Sequence, residues 1–308
     1  MLQRIASRLI AAALVLFGVS LTVFLLIHII PGDPVEVMLG EHAAPADRLA
    51  LRTALGLDQP IHIQLLNYYE RLLHFDLGES LFNRQPVGSL ILERLPATIE
   101  LTLAALFVAL IISIPLGVLA ASRRNQSWDH VASSVSMVGL SVPNFVIGPV
   151  LMLVFAVWLG LLPVSGRQGW LSLILPAVTL GSALAAMLTR MLRSSLLEVM
   201  GEDFIRSAKA RGLSPMRILL RHTLRNAWLP IITLLGLQLG ALLAGAVITE
   251  TVFNWPGIGQ LTIEAIQRRD YPLLQGCVLF ISVVYIVVNT LVDMLYAWID
   301  PRIRVVST

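Results

Sequence analysis

The sequence predicts an all-α integral membrane protein with six transmembrane helices, and three observations support this fold class. Hydrophobic residues make up 56% of the chain and charged residues 13%, with a mean hydropathy of +0.81. Soluble domains carry about 25% charged residues, so the low charge favours the membrane class. Six stretches are long and apolar enough to cross the hydrocarbon core, which takes about 20 helical residues. Lysine and arginine are also unequally distributed between the segments that connect these stretches.

The six candidate spans follow one another along the chain, at residues 9–30, 98–121, 131–159, 171–192, 227–249 and 273–298. Arg4 and Arg8 precede the first span, as in a secretory signal. However, this span exceeds the apolar length of a signal and precedes no small-residue cleavage site, so we interpret it as a retained anchor. The third span contains Pro143 and Pro149, which interrupt regular helix. Irregular backbone at this depth must be buried or line a wet cavity, so part of this span is predicted to line a pathway, with a packing kink as the alternative.

The connecting segments divide the chain into three regions, residues 1–30 (N-terminus and first span), 31–97 (a small helical region outside the bilayer) and 98–308 (the five other spans, with the loop 198–226). Within the second region, apolar residues recur at helical spacing, namely Leu65, Tyr69, Leu72 and Leu73. This region is too long for a simple connection, and we expect it to contact a partner protein.

The distribution of basic residues predicts the orientation of the chain. One set of connecting segments, together with both termini, carries fourteen Lys or Arg residues, and the opposite set carries eight. The poorer side includes the longest segment, residues 31–97, which holds nine Asp or Glu residues. Positively charged loops stay in the cytoplasm, so both termini are predicted to be cytoplasmic.

The loop between the fourth and fifth spans contains a basic segment, residues 205–230, with six positive charges and no acidic residue. Gly212 interrupts one helical pattern, and Ser214 followed by Pro215 is typical of a helix start. Arginines then recur at every fourth position along one helical face, at Arg217, Arg221 and Arg225. Apolar and small residues are expected largely on another face, at Met216, Leu219, Leu220 and Thr223. We interpret this amphipathic helix as one that docks into a protein groove, with binding to anionic lipid as the alternative and nucleic acid not expected.

Motifs for catalysis or metal binding are missing from the sequence. The only lysine, Lys209, lies in SAKAR and cannot belong to a phosphate-binding loop. The single Cys277 excludes an internal disulfide, and the six histidines are scattered over both sides of the membrane. We therefore predict no catalytic residue and no metal ligand. A stand-alone secondary transporter or channel is the alternative function, but the acidic residues Glu100 and Asp293 lie toward span ends instead of at mid-membrane.

The basic segment resembles the EAA loop of permease subunits in ATP-binding-cassette (ABC) importers. That loop contains Glu-Ala-Ala, then glycine after three residues, then Ile-x-Leu-Pro after nine more. Gly212 occupies the glycine position here, and the residues from His222 to Arg225 occupy the second motif. The sequence departs from the common pattern at Arg206, His222 and Arg225. These departures are similar to those of the peptide and nickel importer branch.

Further motifs extend the resemblance over essentially the whole chain. They occur in the order PGDP (31–34), LGLDQP (55–60), FDLGES (75–80), SVPNF (141–145), ETVFNWPGIG (250–259), RRDYPLLQG (268–276) and VDMLYAWIDPRIR (292–304). The chain looks like the first of two paired permeases of a dipeptide, oligopeptide or nickel importer. The resemblance implies the type I ABC importer permease fold in the cell's inner membrane.

The resemblance also implies the partners and the site residues. Implied partners are a second homologous permease, two cytoplasmic ABC ATPases that use ATP and Mg, and a periplasmic or surface substrate-binding protein, with membrane lipid around the spans. No cofactor is expected on this chain, and the cargo would be di- or oligopeptides, glutathione or nickel chelates. Coupling to the ATPases is assigned to Arg206, Ala208, Gly212, Ser214, Pro215, Arg217, Arg221, His222, Leu224 and Arg225. Candidates for the translocation pathway are Ser141, Pro143, Asn144, Trp255 and Pro256.

Overall fold

The computed structural model describes residues 2–29, 34–39, 44–54 and 56–299. Over these residues the chain is helical, and the only β pairing is an isolated bridge between Glu79 and Pro86. The helices are α1 (Leu2–Ile29), α2 (Pro34–Leu39), α3 (Pro45–Ala54), α4 (Ile61–Leu73), α5 (Val87–Ser122), α6 (Ser127–Ser141), α7 (Asn144–Leu151), α8 (Trp170–Met200), α9 (Asp203–Ala210), α10 (Pro215–Arg217), α11 (Leu224–Val252), α12 (Ile258–Arg268) and α13 (Tyr271–Ile299). Two π-helical stretches continue α7 and α10, at Met152–Trp158 and Ile218–Thr223.

Several predicted features fall outside the described residues. The boundary between the first two predicted regions, at residues 30 and 31, is among them, together with most of the PGDP motif. The C-terminal residues 300–308, which were predicted to be cytoplasmic, are also outside them.

The helices form two compact units. The first comprises Met1–Ala97 with Pro256–Ile286, and the second comprises Thr98–Trp255 with Val287–Thr308. The division therefore falls inside α5 and inside α13, and it separates Trp255 from Pro256.

In the first unit, α4 packs against α1. Phe24 and Tyr68 are buried together with Leu279, and Leu65, Tyr69, Leu72 and Leu77 pack around them. The predicted helical spacing of Leu65, Tyr69, Leu72 and Leu73 is confirmed, because all four residues lie in α4. Leu73, the last residue of α4, is 80% exposed and lies outside the buried cluster.

A second cluster in the first unit joins the start of α5 to α12 and α13 through Val87, Ile91, Leu261 and Cys277. Gly276 is so close to Val87 that a Cβ at this position would clash with the valine side chain. Beside this cluster, the Ser80 hydroxyl donates to the Asp270 carboxylate over 2.5 Å, and Asp270 is 1% exposed. This bond connects the sequence motifs FDLGES and RRDYPLLQG, which lie far apart in the chain.

In the second unit, α8 packs against α6, α7 and α11. Small residues allow close approach: a Cβ on Gly181 would lie 2.5 Å from the carbonyl oxygen of Ala105 in α5, and one on Gly139 would lie 3.2 Å from Ala186. Membrane helices commonly associate through such small residues, because their backbones can then pack closely. Leu184, Leu188 and Leu192 fill the interior face of α8.

Three of the described helices are long and apolar enough to cross a membrane, at Val87–Ser122, Trp170–Met200 and Tyr271–Val292. A fourth candidate is the pair Ser127–Ser141 and Asn144–Trp158, which is bent by 106°. The bend occurs at Pro143, as expected from the helix-breaking effect of proline on the residue before it. Shorter apolar stretches lie within α1 (Ile10–Leu25) and α11 (Pro230–Gly240). An all-α membrane fold is thus confirmed, and the count of six spans stays a prediction.

Candidate functional site: a basic helix–turn–helix and a cavity between three helices

The predicted turn at Gly212 joins two helices, α9 and α10, and we call residues 203–226 the helix–turn–helix. Gly212 has a φ of +76°, in the left-handed region that glycine enters without steric cost. The Gly212 N–H donates to the Lys209 carbonyl (2.9 Å) and the Leu213 N–H to the Ala208 carbonyl (3.3 Å). This pair of bonds is the Schellman motif, which ends a helix by satisfying its free carbonyls. The glycine therefore sets the angle between the two helices.

A small apolar core holds the two helices together. Ile205, Ala208 and Ile218 are buried, and Leu213 packs against them. Ala208, which belongs to the predicted coupling set, is 2% exposed. A larger residue there would separate α9 from α10, so the position requires a small side chain.

The second helix begins at Pro215, as predicted, but the Ser214 side chain makes no capping hydrogen bond. The Ser214 carbonyl instead accepts from the Ile218 N–H over 3.0 Å. A side-chain cap, which serine before a helix start favours, does not form because this helix end is exposed, and water can satisfy its free N–H groups. The helix then continues through the π-helical stretch into α11, and the Thr223 hydroxyl donates to the Ile218 carbonyl within it (3.2 Å).

The surface of the helix–turn–helix is basic with an apolar patch. Arg217, Arg221 and Arg225 are exposed, as the four-residue spacing predicts. Met216 and Leu220 are 65% and 56% exposed, whereas sequence reasoning grouped them with Thr223, which is buried. The grouping was wrong because the π-helical stretch and the buried Ile218 shift the inward face.

Three other predicted coupling residues are partly buried or are paired within the helix–turn–helix. Arg206 is exposed and forms an ion pair of 3.1 Å with Asp203 in the first turn of α9. His222 and Leu224 are half-buried, and the His222 carbonyl accepts from the Asn226 amide over 2.6 Å.

Near the start of α6 and the end of α8 lies an ion pair that the sequence did not indicate. Arg193 donates from Nε and a terminal nitrogen to the two Asp129 carboxylate oxygens, at 2.6 and 2.7 Å. Asp129 also accepts from the Asn125 N–H over 2.9 Å and is 3% exposed. Such a two-point contact fixes the orientation of both side chains. Sequence reasoning missed it because the partners are 64 residues apart.

An open cavity of about 100 Å³ lies between α7, α8 and α11. Its lining is mostly apolar, with the carboxamides of Asn144 and Gln238 as the polar side chains. The Gln238 amide donates to the Met187 sulfur over 3.0 Å, and thioether sulfur is a weak acceptor. Gln238 lies at the midpoint of α11, where a polar group is costly unless it faces a partner or water. A lone carboxamide in the middle of the predicted fifth span was the signal that sequence reasoning missed.

Two other pathway candidates lie at the break between α6 and α7. The Ser141 hydroxyl donates to the Met137 carbonyl over 2.8 Å, and Pro143 directly precedes α7. Both residues are exposed.

Trp255, another pathway candidate, is completely buried at 0% exposure. The backbone N–H of Trp255 donates to the Glu250 carbonyl (2.8 Å), and the Phe253 carbonyl accepts from the Gly166 N–H (2.8 Å). The guanidinium of Arg167 lies 5.9 Å from the centre of the Trp255 ring. These contacts tie the segment after α11 to the loop before α8. Pro256 is half-buried in the other unit.

Two acidic residues stabilise the same region around the end of α11. Arg167 forms an ion pair with Glu100 at 2.7 Å, and both side chains are partly exposed. Glu250 is 0% exposed and accepts a hydrogen bond of 2.7 Å from Thr98. Burial of a carboxylate requires such partners, so Glu250 fixes the end of α11 against α5.

Comparison with known proteins shows that this helical membrane chain is a permease subunit of an ABC transporter. Residues 113–305 match the family of binding-protein-dependent transport system inner membrane components, and residues 1–102 match the N-terminal region of the same transport components. The chain belongs to this family and is a multi-pass inner-membrane protein.

Curated relatives cover 99% of the chain and are themselves covered to 99%. The dipeptide transport system permease protein DppB of Escherichia coli (strain K12) is 43% identical over 336 residues. The di/tripeptide permease DppB of Pseudomonas aeruginosa (strain UCBPP-PA14) is 44% identical over 333 residues. The glutathione transport system permease GsiC of Salmonella choleraesuis (strain SC-B67) is 41% identical over 304 residues.

Solved structures share the fold at lower identity. An inward-facing form of the MetNI methionine ABC transporter matches with a TM-score of 0.59 and 19% identity, over 68% of this chain and 96% of that chain. An amino acid ABC transporter with histidines matches with a TM-score of 0.53 and 16% identity, over 70% and 94% of the two chains. These similarities show the fold alone.

Proposed function

We propose that this permease forms half of a translocation pathway for short peptides and is driven by ATPases that dock on its helix–turn–helix. The exposed Met216 and Leu220 carry this proposal, because they form an apolar patch beside Arg217 and Arg221 on the membrane's cytoplasmic side. An apolar patch rimmed by charge is the composition of a protein docking surface. The Schellman turn and the buried Ala208 make this surface rigid enough to transmit a movement.

The complete importer contains a second homologous permease, two ABC ATPases and a substrate-binding protein on the outer side. ATP and Mg are bound by the ATPases, and this chain contributes neither a cofactor site nor a catalytic residue. Both termini are cytoplasmic, and the region 31–97 faces outward, since this orientation places most Lys and Arg residues inside. Asp129 and Arg193 then lie on the cytoplasmic side, close to the membrane surface.

The cargo passes beside the cavity of Asn144 and Gln238, with Ser141 and Pro143 at the helix break next to it. Carboxamides both donate and accept, so they complement the amide groups of a peptide backbone. Trp255 and Pro256 serve the outer end of the pathway, where Trp255 anchors the segment in the conformation described. A movement of this segment would be needed to expose the Trp255 ring to cargo.

Chain length favours glutathione, a tripeptide, as a cargo to test beside dipeptides. The alignment with the Escherichia coli dipeptide permease covers 336 positions, 28 more than the 308 residues of this chain. The glutathione permease aligns over 304 positions and so needs no such insertion. The short loop between the third and fourth spans agrees with the absence of an insertion there.

Docking is tested by placing charge on the apolar patch. The double variant Met216→Glu with Leu220→Glu changes exposed side chains, so the fold should be preserved. We expect loss of ATPase co-purification and of uptake, with membrane insertion unchanged. Gln126→Glu, an exposed cytoplasmic position in the turn before α6, is the matched control and should retain both. Equal ATPase recovery from the two variants would refute the proposed docking surface.

Cargo is tested with the complete importer in proteoliposomes that contain ATP. Uptake of labelled glutathione and of labelled dialanine should be compared, each with the other as competitor. Transport by this chain alone under an ion gradient would instead support the stand-alone secondary transporter or channel. The family assignment supports the ATP-driven importer.

A further inference from the structure

A π-helical turn connects α10 to α11. The stretch Ile218–Thr223 continues one helix into the other, and the Leu224 N–H at its end donates to the Leu219 carbonyl, five residues earlier. A regular α-helix bonds each N–H to the carbonyl four residues earlier, so this turn contains one extra residue. Turns of this kind are rare inside α-helices and occur frequently at functional sites.

The Thr223 side chain fits this wide turn and would not fit a regular one in the same way. Its hydroxyl donates to the Ile218 carbonyl, five residues earlier, over 3.2 Å. A threonine hydroxyl in a regular helix bonds to the third or fourth preceding carbonyl. Four other buried helical threonines bond to the fourth preceding carbonyl at 2.7–2.8 Å, namely Thr102, Thr179, Thr189 and Thr262. The bond from Thr223 therefore depends on the extra residue in the turn.

The surroundings of Thr223 shield this bond from water. Thr223 is 0% exposed and Ile218 is 6% exposed. Ile218 packs on Ile205 and Ala208 of α9, and α8 also packs against the π-helical turn. A buried hydroxyl that loses its acceptor loses a hydrogen bond that water does not replace. The bond thus stabilises the π-helical turn relative to a regular turn of the same residues.

The extra residue determines how the proposed docking surface is rotated relative to α11. Each residue of an α-helix adds about 100° of rotation and about 1.5 Å of rise. Closing the π-helical turn into a regular turn would therefore rotate Met216 by about 100° relative to α11. Pro230, in the second turn of α11, has no N–H to donate to the Asn226 carbonyl, so the start of α11 gives this junction less backbone support.

We propose that Thr223 is a positioning residue for the coupling of ATP hydrolysis to transport. Its hydroxyl holds the π-helical turn, and the turn orients the docking surface so that a movement of the ATPases is transmitted along α11. Because Thr223 is buried, it acts through the orientation of Met216 and Leu220 instead of by contact with a partner. The proposal rests on the proposed function, in which ATPases dock on the helix–turn–helix.

Two variants separate the hydroxyl from the shape of the side chain. Thr223→Val keeps the shape and removes the hydroxyl, whereas Thr223→Ser keeps the hydroxyl and removes a methyl group. Complete importers are reconstituted in proteoliposomes, and ATP hydrolysis is measured together with uptake of labelled dialanine and of labelled glutathione. We expect Thr223→Val to lower the number of molecules taken up per ATP hydrolysed by about fivefold, the effect of one buried hydrogen bond. Thr223→Ser should retain most of this ratio.

Thr189→Val is the matched control, because it removes a buried hydroxyl from regular helix in α8, and it should leave the ratio unchanged. A role in packing alone would give the opposite order of the two Thr223 variants, because serine leaves a cavity that valine fills. An equal or larger loss in Thr223→Ser would therefore overturn the proposal, as would a normal ratio in Thr223→Val. Failure of the unsubstituted complex to bind ATPases would instead contradict the proposed function itself.

Distances between spin labels test the orientation without reference to transport. Nitroxides are attached at Lys209→Cys on α9 and Leu237→Cys on α11, both exposed positions, and the native Cys277 is completely buried. Rotation about a helix that is about 10–12 Å wide moves a side chain by several ångströms. The distance should change by roughly 5 Å in the Thr223→Val background and stay at its original value with Thr223→Ser. An unchanged distance in Thr223→Val would show that the turn persists without the hydroxyl, which overturns the proposal.

Discussion

At the residue scale, the angle of the helix–turn–helix depends on the backbone of Gly212. A Cβ at this position would meet no atom within 4 Å, so only its φ of +76° restricts the residue type. We expect Gly212→Ala to destabilise the segment by about 1 kcal/mol, because a residue with a Cβ enters the left-handed region at that cost. Gly212→Val should be worse, since β-branched residues are stiffer. Recovery of the ATPases with the purified permease measures the effect.

The matched control at this position is Gly212→Asn, because asparagine tolerates the left-handed conformation better than other residues. The Gly212→Asn variant should co-purify with most of the ATPase that the unsubstituted permease recovers. If valine and asparagine caused equal losses, the backbone conformation would not be the cause.

The ion pair between Asp129 and Arg193 gives a second prediction for single residues. Asp129→Asn removes the charge from a side chain that is 4% exposed and leaves Arg193, which is 30% exposed, without its carboxylate. We expect a loss of about 2 kcal/mol in the free energy of unfolding, below the value for a fully buried pair because Arg193 is partly solvated. Thermal unfolding of the purified complex and a double-mutant cycle with Arg193→Gln measure this coupling.

Glu100→Gln is the control for that ion pair, because it breaks the exposed contact with Arg167. The two side chains are 37% and 43% exposed, so the loss should stay below about 1 kcal/mol. A cycle that found no coupling between Asp129 and Arg193 would contradict a stabilising role for the buried pair.

At the element scale, α5 and α8 approach each other at Gly181. A Cβ there would lie 2.5 Å from the Ala105 carbonyl oxygen, and backbone cannot move aside as a flexible side chain can. Gly181→Ala should therefore separate the two helices and destabilise the fold by about 1–3 kcal/mol, the range for overpacking. Gly18→Ala in α1, where no atom lies within 4 Å, should be neutral or slightly stabilising because alanine favours helix. Similar unfolding temperatures for both variants would show that the contact at Gly181 relaxes freely.

The elements that the sequence predicted well are those with strong local signals. Pro215 marked a helix start, Gly212 a turn, and Pro143 a helix break, since each acts through its own backbone. The π-helical stretch after Arg217 was not predictable, because its residues are ordinary helix formers and its extra turn width depends on tertiary packing. This stretch places Thr223 beside the buried Ile218, whereas regular helical spacing would place it on the side of Met216 and Leu220.

The candidate site was predicted only in part, because its geometry also depends on tertiary packing. Arginine spacing predicted the exposed basic surface of the helix–turn–helix, where Arg217, Arg221 and Arg225 are exposed. The cavity needed three helices in place before Asn144 and Gln238 could be seen to share it. Likewise, burial of Trp255 depends on its backbone bond to Glu250 and on Arg167, and no local pattern shows such a contact.

At the scale of the whole molecule, one continuous helical path connects the proposed docking surface with the far end of α11. It runs from Pro215 through the π-helical stretch to Val252, roughly 55 Å at about 1.5 Å per residue. Gln238 lies at the middle of α11, and Glu250 lies buried in its last turn. A movement imposed on the helix–turn–helix by the ATPases would therefore reach the cavity and the outer segment through the same element. Packed helices switch between discrete arrangements. Such a path can therefore couple ATP hydrolysis to a change in the side of the membrane from which cargo reaches the cavity.

Substitutions in the cavity and on the proposed docking surface should consequently affect different measurements. Gln238→Leu removes the carboxamide but leaves the helix–turn–helix intact, so we expect normal ATPase co-purification. Uptake efficiency, as kcat/KM for the transported peptide, should fall about tenfold, which corresponds to the loss of one hydrogen bond to cargo. Leu237→Ile, at an exposed position outside the cavity lining, should leave uptake unchanged. Unchanged uptake in Gln238→Leu would mean that the cargo bypasses this cavity, because an apolar residue at the same place would then carry no penalty.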